Sequence, residues 1–287
     1  MSSSVVDDRI LVTGASGQLG TAFGRVYPDA VFLGRPELDL TDRAAIRSLV
    51  RELEPSLVVN CAAYTAVDAA EDDVETADAV NAVAVGLLAE LTREGSARFV
   101  TFSTDYVFDG RGSRPYVESD PTDPINAYGA TKLRGENLAL AANPDTLVVR
   151  TSWVISETHD NFASAILRRA MGGAVAVVDD QVGRPTIADD LARGTAEAIL
   201  RGMTGVLHLA NEGATTWYEL ARALVADAGL DAECVTPCST SDFPTRARRP
   251  AYSVLGSERT EAPSLPPWRE STPRVATAQM DRLGSLG

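Results

Sequence analysis

The chain has 287 residues, 45% of them hydrophobic and 23% charged, enough for one large core or two smaller ones and unlike a disordered or fibrous polymer. Its net charge of −14 excludes a general binder of nucleic acid or anionic membrane surfaces, because polyanions would be repelled. An anionic ligand must instead be received locally, by helix N-termini or clustered arginines.

The first strand is predicted at R-I-L-V-T (9–13), followed by a helix over 18–27. Strands at 30–33, 57–60, 98–103 and 146–150 then alternate with helical patterns at 42–53, 73–93 and 126–142. Further on come helices at 161–171, 187–202 and 216–229, with strands at 175–178 and 206–209. The strands read as continuous apolar runs, which indicates burial on both faces, and the alternation predicts a parallel, doubly wound α/β sheet. After about residue 210, Pro and Arg become frequent (F-P-T-R-A-R-R-P, 243–250) and strand patterns thin out. The expected organisation is a dinucleotide-binding domain over 1–151, joined by 187–210, and a smaller, irregular substrate lobe built from 152–186 and 211–287. Cys61, Cys234 and Cys238 form no disulfide framework, and with so few histidines they make no zinc site. The N-terminus lacks signal-peptide order, and no apolar run approaches the ~18 residues of a membrane span, so a cytoplasmic, soluble protein is expected.

Gly14, Gly17 and Gly20 form G-x-x-G-x-x-G directly after the first strand, with Ser16, Gln18 and Leu19 between them. Glycines there permit a tight turn and a close approach of backbone N–H groups to a pyrophosphate, which the helix N-terminus also attracts. An ordinary strand-to-helix turn is the competing reading, and the position after the first strand favours nucleotide binding. Arg35, near the end of the second strand, favours a 2′-phosphate and hence NADP(H). Glu37 and Asp39 follow closely, and a solvated surface arginine is the alternative.

Thr104 and Asp105 end the fourth strand in S-T-D-Y-V-F-D-G, while Tyr128 and Lys132 lie one turn apart in Y-G-A-T-K at the start of a helix. A phenol beside an ammonium makes a proton donor whose pKa the cation is expected to lower toward neutrality. A neighbouring hydroxyl can polarise a carbonyl. Tyr128 is therefore the candidate general acid or base, Lys132 its partner and a ribose ligand, and Thr104 the hydroxyl at the reacting oxygen. A surface pair is the bland alternative for Y-x-x-x-K alone; the glycine turn and the Thr104 segment weigh against it. No metal is needed for this chemistry.

These three motifs together resemble the extended short-chain dehydrogenase/reductase superfamily. Within it the chain is similar to the bacterial dTDP-4-dehydrorhamnose reductase family, through N-C-A-A-Y-T-A-V-D-A-A-E (60–71), S-T-D-Y-V-F-D-G (103–110), R-T-S-W-V (150–154), V-V-D-D-Q-V-G-R-P-T (177–186) and R-R-P-A-Y-S-V-L (248–255). The resemblance implies a Rossmann-type fold and reduction of the 4-keto group of dTDP-6-deoxy-L-lyxo-4-hexulose to dTDP-L-rhamnose by NADPH or NADH. It implies that Asp39 and Leu40 flank the adenosine half and that Ala62, Ala63 and Tyr64 line the cofactor. Thr104, Asp105 and Trp153 would contact the sugar, an indole face also suiting a deoxysugar; a core tryptophan is the alternative for Trp153. Asn81 is expected to be structural, and Asp180–Gln181 to shape a loop between the lobes. Arg246, Arg248 and Arg249 are candidates for the diphosphate, with Arg249 preferred and a solvated basic patch as the alternative. The family is also linked with magnesium through a dimer contact, so a homodimer is compatible, but no carboxylate cluster in the sequence establishes a metal site. Two other readings stay open. One is a sugar-nucleotide epimerase or dehydratase, against which Asp105-Tyr106 stands where a dehydratase has Asp-Glu. The other is a non-catalytic regulatory subunit similar to the methionine adenosyltransferase β-subunit.

Overall fold

The computed structural model describes residues 9–285. The first half alternates strand and helix: β1 (Ile10–Thr13), α1 (Gln18–Val26), β2 (Val31–Leu33), α2 (Arg43–Leu53), β3 (Leu57–Asn60), α3 (Val74–Asp78), α4 (Ala84–Glu94), β4 (Arg98–Thr104), α5 (Ala127–Ala142) and β5 (Leu147–Thr151). There follow β6 (Val154–Ile155), α6 (Phe162–Ala170), β7 (Val175–Val178), β8 (Val182–Gly183), β9 (Thr186–Ile187), α7 (Ala188–Leu200) and β10 (Gly205–His208). The last part holds β11 (Asn211–Glu212), β12 (Thr215–Thr216), α8 (Trp217–Asp227), β13 (Val235–Cys238), β14 (Leu265–Pro267) and α9 (Trp268–Ser285).

The main sheet has the order β10-β5-β4-β3-β1-β2, with every pair parallel. This is the Rossmann-type doubly wound arrangement expected from the sequence. Side chains alternate between its faces. Val12, Val59, Val100 and Val149 pack with Phe23 of α1 and Leu191 of α7. Leu11, Val58 and Phe99 face the other way, against Ile46 of α2, Leu88 of α4 and Ala139 of α5. Both faces are covered, which explains strand sequences without polar alternation. The chain leaves β1 for β2 on one side and returns to β3 on the other. That reversal opens a crevice at the carboxyl ends of the strands, where doubly wound sheets bind ligands.

Three local readings change. The helix expected over 73–93 is interrupted by a π-helical turn at Ala79–Val83, a feature often found at functional sites. The strand at 175–178 forms but leaves the main sheet, pairing in parallel with β13. The C-terminal part is more regular than its composition suggests, because α9 runs for 18 residues despite Pro273. A proline cannot bond the carbonyl four residues back, and here the Thr272 hydroxyl donates to that carbonyl, on Arg269, at 3.2 Å. Small cores hold this part together: Ile155, Ile187, Leu220, Leu224 and Val275 in one, and Leu167, Val175, Val225 and Val235 in the other. No helix among the described residues is long and apolar enough to cross a membrane.

Candidate active site

A cleft of about 780 Å³ opens at the carboxyl ends of β1, β3, β4 and β5, lined there by Thr13, Asn60, Ser103 and Thr151. Its volume suits a bound cofactor or substrate. Gly14, Ser16, Gly17, Gln18 and Leu19 form one wall. Gly14 has φ +69°, and a Cβ on it would meet the Ala62 nitrogen at 2.5 Å, so only glycine lets this turn lie against the loop after β3. Gly20 does not line the cleft; it packs against the Gly14 carbonyl from behind. No side chain caps the N-terminus of α1 at Gly17. Its first-turn N–H groups are therefore available to an anion, as a pyrophosphate requires.

At one end of the cleft lie Arg35, Asp39 and Leu40. The two carboxylates that complicated the reading of Arg35 have local partners. Glu37 Oε2 accepts from the Gly34 N–H at 2.9 Å. Asp39 accepts from the backbone and hydroxyl of Thr41, which holds its carboxyl below the usual range. Arg35 stands exposed at the rim. Ala62, Ala63 and Tyr64 line the cleft beside the glycine turn. Asn81, inside the π-helical turn, accepts from the Tyr64 N–H at 2.8 Å and donates to the Tyr64 carbonyl at 3.1 Å and the Thr131 hydroxyl at 3.2 Å. It thus ties this loop to α5, the structural part expected of it.

Tyr128 and Lys132 enter the cleft from the first turns of α5. Asn126 caps the helix, accepting from the Gly129 N–H at 2.7 Å. A Cβ on Gly129 would lie 2.1 Å from the Tyr106 carbonyl, so a glycine is what allows α5 to abut the segment after β4. That approach sets the Tyr128 ring edge-on to Tyr106, centroids 6.0 Å apart, near enough to Thr104 for its hydroxyl to act on the phenol. Thr104 and Asp105 are buried just behind, with the Thr104 hydroxyl donating to Asp105 Oδ1 at 3.1 Å and accepting the Tyr106 N–H at 3.2 Å.

The electrostatics differ from the expectation that Lys132 lowers the Tyr128 pKa. Burial pushes the phenol up to about 12, Asp105 adds to the rise, and the Thr104 hydrogen bond opposes it. Lys132 is itself brought down to about 8 by burial, with Glu136 holding it up. Desolvation outweighs the pairing that helix spacing suggested. Asp105, 2% exposed, is raised by burial to about 7, against the Ser253 and Thr104 hydroxyls that hold it down.

Two predicted substrate contacts are arranged differently. Arg249 is bidentate to Asp68, at 2.7 and 3.1 Å, so its fork already grips a carboxylate instead of facing open space. Arg246 likewise pairs with Asp72, while Arg248 is exposed. Trp153 stacks on Trp217 with ring centroids 3.7 Å apart and 10° between planes, at the margin of a small core. This accounts for part of its apolar surface by packing, as the core-tryptophan reading anticipated. Its φ of +48° is strained for a bulky residue, a state that persists where surroundings overdetermine it, often beside functional sites. Asp180 accepts from the backbone and hydroxyl of Thr240 and Gln181 donates to the same hydroxyl, consistent with a loop-shaping part.

The sequence reading missed Ser103, Thr151 and His159. The Ser103 and Thr151 hydroxyls are buried without protein partners where those residues line the cleft. Their positions at the ends of β4 and β5 were the available signal. His159 donates from Nε2 to the Ser16 carbonyl at 3.0 Å, reaching the glycine turn from a loop 143 residues away, which no local pattern announces. Among the described residues no group of three or more His, Cys, Asp or Glu side chains converges as a metal site.

Comparisons agree with this geometry. The family model for the RmlD substrate binding domain matches residues 8–280. A dTDP-4-dehydrorhamnose reductase of Burkholderia thailandensis is 43% identical, covering 91% of this chain and 95% of its own length. A dTDP-4-keto-6-deoxy-D-glucose reductase of Streptomyces niveus is 39% identical over 94% and 96% of the two chains. The crystal structure of a dTDP-4-dehydrorhamnose reductase from Bacillus anthracis in complex with NADP is 32% identical, covers 93% of this chain and 98% of that one, and superposes with a TM-score of 0.90. With its glycine turn, Tyr128 and Lys132 on one cleft of a doubly wound sheet, the chain belongs to the dTDP-4-dehydrorhamnose reductase family.

Proposed function

We propose that the chain reduces the 4-keto group of a dTDP-4-keto-6-deoxyhexose, giving dTDP-L-rhamnose from dTDP-6-deoxy-L-lyxo-4-hexulose, with NADPH preferred over NADH. The observation that carries the reading is the convergence of the glycine turn, Tyr128 and Lys132 on one cleft. When bound, the nicotinamide supplies a hydride. The uncapped N-terminus of α1 would receive the pyrophosphate, Arg35 the 2′-phosphate, and Lys132 the nicotinamide ribose. The unpartnered hydroxyls of Ser103 and Thr151 offer further hydrogen bonds to the cofactor or substrate.

Tyr128 is the proton donor. A phenol held near pKa 12 keeps its proton at neutral pH, the form a reduction consumes; the reverse oxidation needs the scarce phenolate. The Thr104 hydroxyl, which donates to Asp105 here, would turn its hydrogen to the sugar oxygen as that oxygen gains charge. Asp105 and the uncovered part of Trp153 would contact the sugar, and Arg249 acts with Asp68 as a strut across two loops. Residues 1–151 with 187–210 serve the cofactor, and 152–186 with 211–287 the sugar nucleotide; packing of α7 and β10 into the main-sheet core supports that division.

The test is loss of reduced-nicotinamide absorbance on mixing the protein with NADPH and the dTDP-4-keto sugar. Consumption that requires the sugar supports the reading. No consumption with either coenzyme, by protein that binds cofactor, refutes it and leaves the epimerase or regulatory-subunit readings.

A further inference from the structure

Lys132 and Glu136 lie one turn apart on α5, 4% and 3% exposed. The Glu136 carboxylate is gripped by Arg150 of β5, with Nε at 2.9 and 3.2 Å from its two oxygens and Nη2 at 2.7 Å. Arg150 Nη1 lies 3.3 Å from His208 Nε2 on β10. The other His208 nitrogen, Nδ1, donates to the carbonyls of Gly256 at 2.8 Å and Tyr116 at 3.1 Å, which leaves Nε2 as an acceptor and the ring neutral. The Arg150 guanidinium also lies over the Phe108 ring, 5.3 Å from its centroid. Three elements are thereby fixed around one carboxylate directly behind the cleft lysine.

Burying an ion pair costs more than burying apolar side chains of similar volume, so a pair kept here asks for a reason beyond stability. We propose that Glu136, clamped by Arg150 and His208, is a positioning residue that keeps Lys132 in the cleft as an ammonium able to hold the cofactor. The inference rests on the part given to Lys132 above. Ionisable groups on the surrounding elements include Tyr128 on α5, Asp105 after β4, Arg150 on β5, His208 on β10, Cys61 and Tyr64 after β3, Asp73 at the cleft before α3, and Arg134 of α5, which is paired with Asp78 of α3. Tyr128 and Asp105 both hold protons more tightly than usual, and the Arg150 charge is engaged by Glu136. Glu136 is the carboxylate one turn along α5 from Lys132, and it acts to raise the Lys132 pKa.

The test is NADPH affinity against pH, read by nucleotide fluorescence, so that its result does not depend on turnover of any sugar. Wild type should lose affinity on the alkaline side with a midpoint near pH 8, as Lys132 discharges. Glu136→Gln should move that midpoint about one unit toward acid, weakening binding roughly fivefold at pH 8 while leaving it nearly unchanged at pH 6. Glu136→Asp should restore much of the shift, and Lys132→Met should abolish the midpoint. Should Glu136→Gln fold poorly, the double variant E136Q/R150M removes both buried charges together; loss of the cation offsets part of the loss of the anion, so its shift should be acidic but smaller than that of Glu136→Gln. A wild-type midpoint in these Glu136 variants, whatever their melting temperatures, overturns the proposal and leaves Glu136 a structural strut.

Discussion

Gly129→Ala isolates the geometry on which the site depends. The new methyl would lie 2.1 Å from the Tyr106 carbonyl oxygen and 3.1 Å from Pro124 Cβ. Real Cβ contacts essentially never fall below 3.0 Å, so the start of α5 must retreat from the segment after β4 by roughly 0.9 Å. The obstacle is backbone, which cannot swing aside as a side-chain tip does. Overpacking of this kind costs about 1–3 kcal/mol. The larger effect is on chemistry, because the retreat carries Tyr128 away from Thr104, and a misplacement of about 1 Å can cost on the order of 100-fold in rate. Steady-state kinetics with NADPH and the keto sugar, alongside thermal melts, should show kcat falling by about that factor with a smaller change in NADPH affinity. Gly24→Ala is the control: its Cβ would meet only the Phe32 ring, at 3.9 Å, and alanine in a helix should add about 0.5–1 kcal/mol of stability with activity unchanged. A Gly129→Ala enzyme with wild-type kcat and melting temperature would refute the claim that this close approach aligns the site.

Three further outcomes are expected. Tyr128→Phe should lower kcat by about 10²–10⁴ while NADPH binding, measured by fluorescence titration, stays within about twofold; an unchanged kcat removes Tyr128 as proton donor. Arg35→Asp should weaken NADPH binding about tenfold or more and leave NADH binding nearly unchanged, reversing the coenzyme preference; parallel losses for both coenzymes would contradict a 2′-phosphate contact. Asp105 binds its proton more tightly in the native state, near pH 7, than an ordinary aspartate does near 3.8. Its contribution to stability is therefore full below the ordinary value of 3.8, falls as pH rises from there toward 7 and is lost above 7. Asp105→Asn cannot ionise and should gain on wild type by on the order of 1 kcal/mol for each pH unit crossed in that window. Denaturant melts at several pH values that keep a constant difference would show that Asp105 does not titrate there.

The fold was legible because its signals are local and repeated. Apolar runs such as L-V-V-N and T-L-V-V-R, separated by helical periods, admit few arrangements other than a parallel sheet with both faces covered. The glycine turn was legible for the same reason, since its spacing directly after β1 is a local signal and Gly20 packs on the Gly14 carbonyl within the same turn. Long-range contacts were less visible. Nothing near Arg249 announces Asp68, and nothing near Ser16 announces His159. The expected lowering of the Tyr128 pKa by Lys132 is not what the structure gives, because helix spacing reports proximity but not burial, and burial governs both groups. The final helix was missed because Pro273 reads as a breaker, and only the Thr272 hydroxyl bond shows how the helix accommodates it.

The central claim is that this cleft delivers hydride to a sugar C4 ketone and protonates the resulting oxygen. NADPH deuterated on the transferring face of its nicotinamide C4, mixed with the protein and dTDP-6-deoxy-L-lyxo-4-hexulose, tests this directly by mass spectrometry and NMR of the product. The account predicts dTDP-L-rhamnose with one deuterium, bonded to the sugar's C4. Recovery of unreacted keto sugar, or of an isomerised sugar without label, would contradict it.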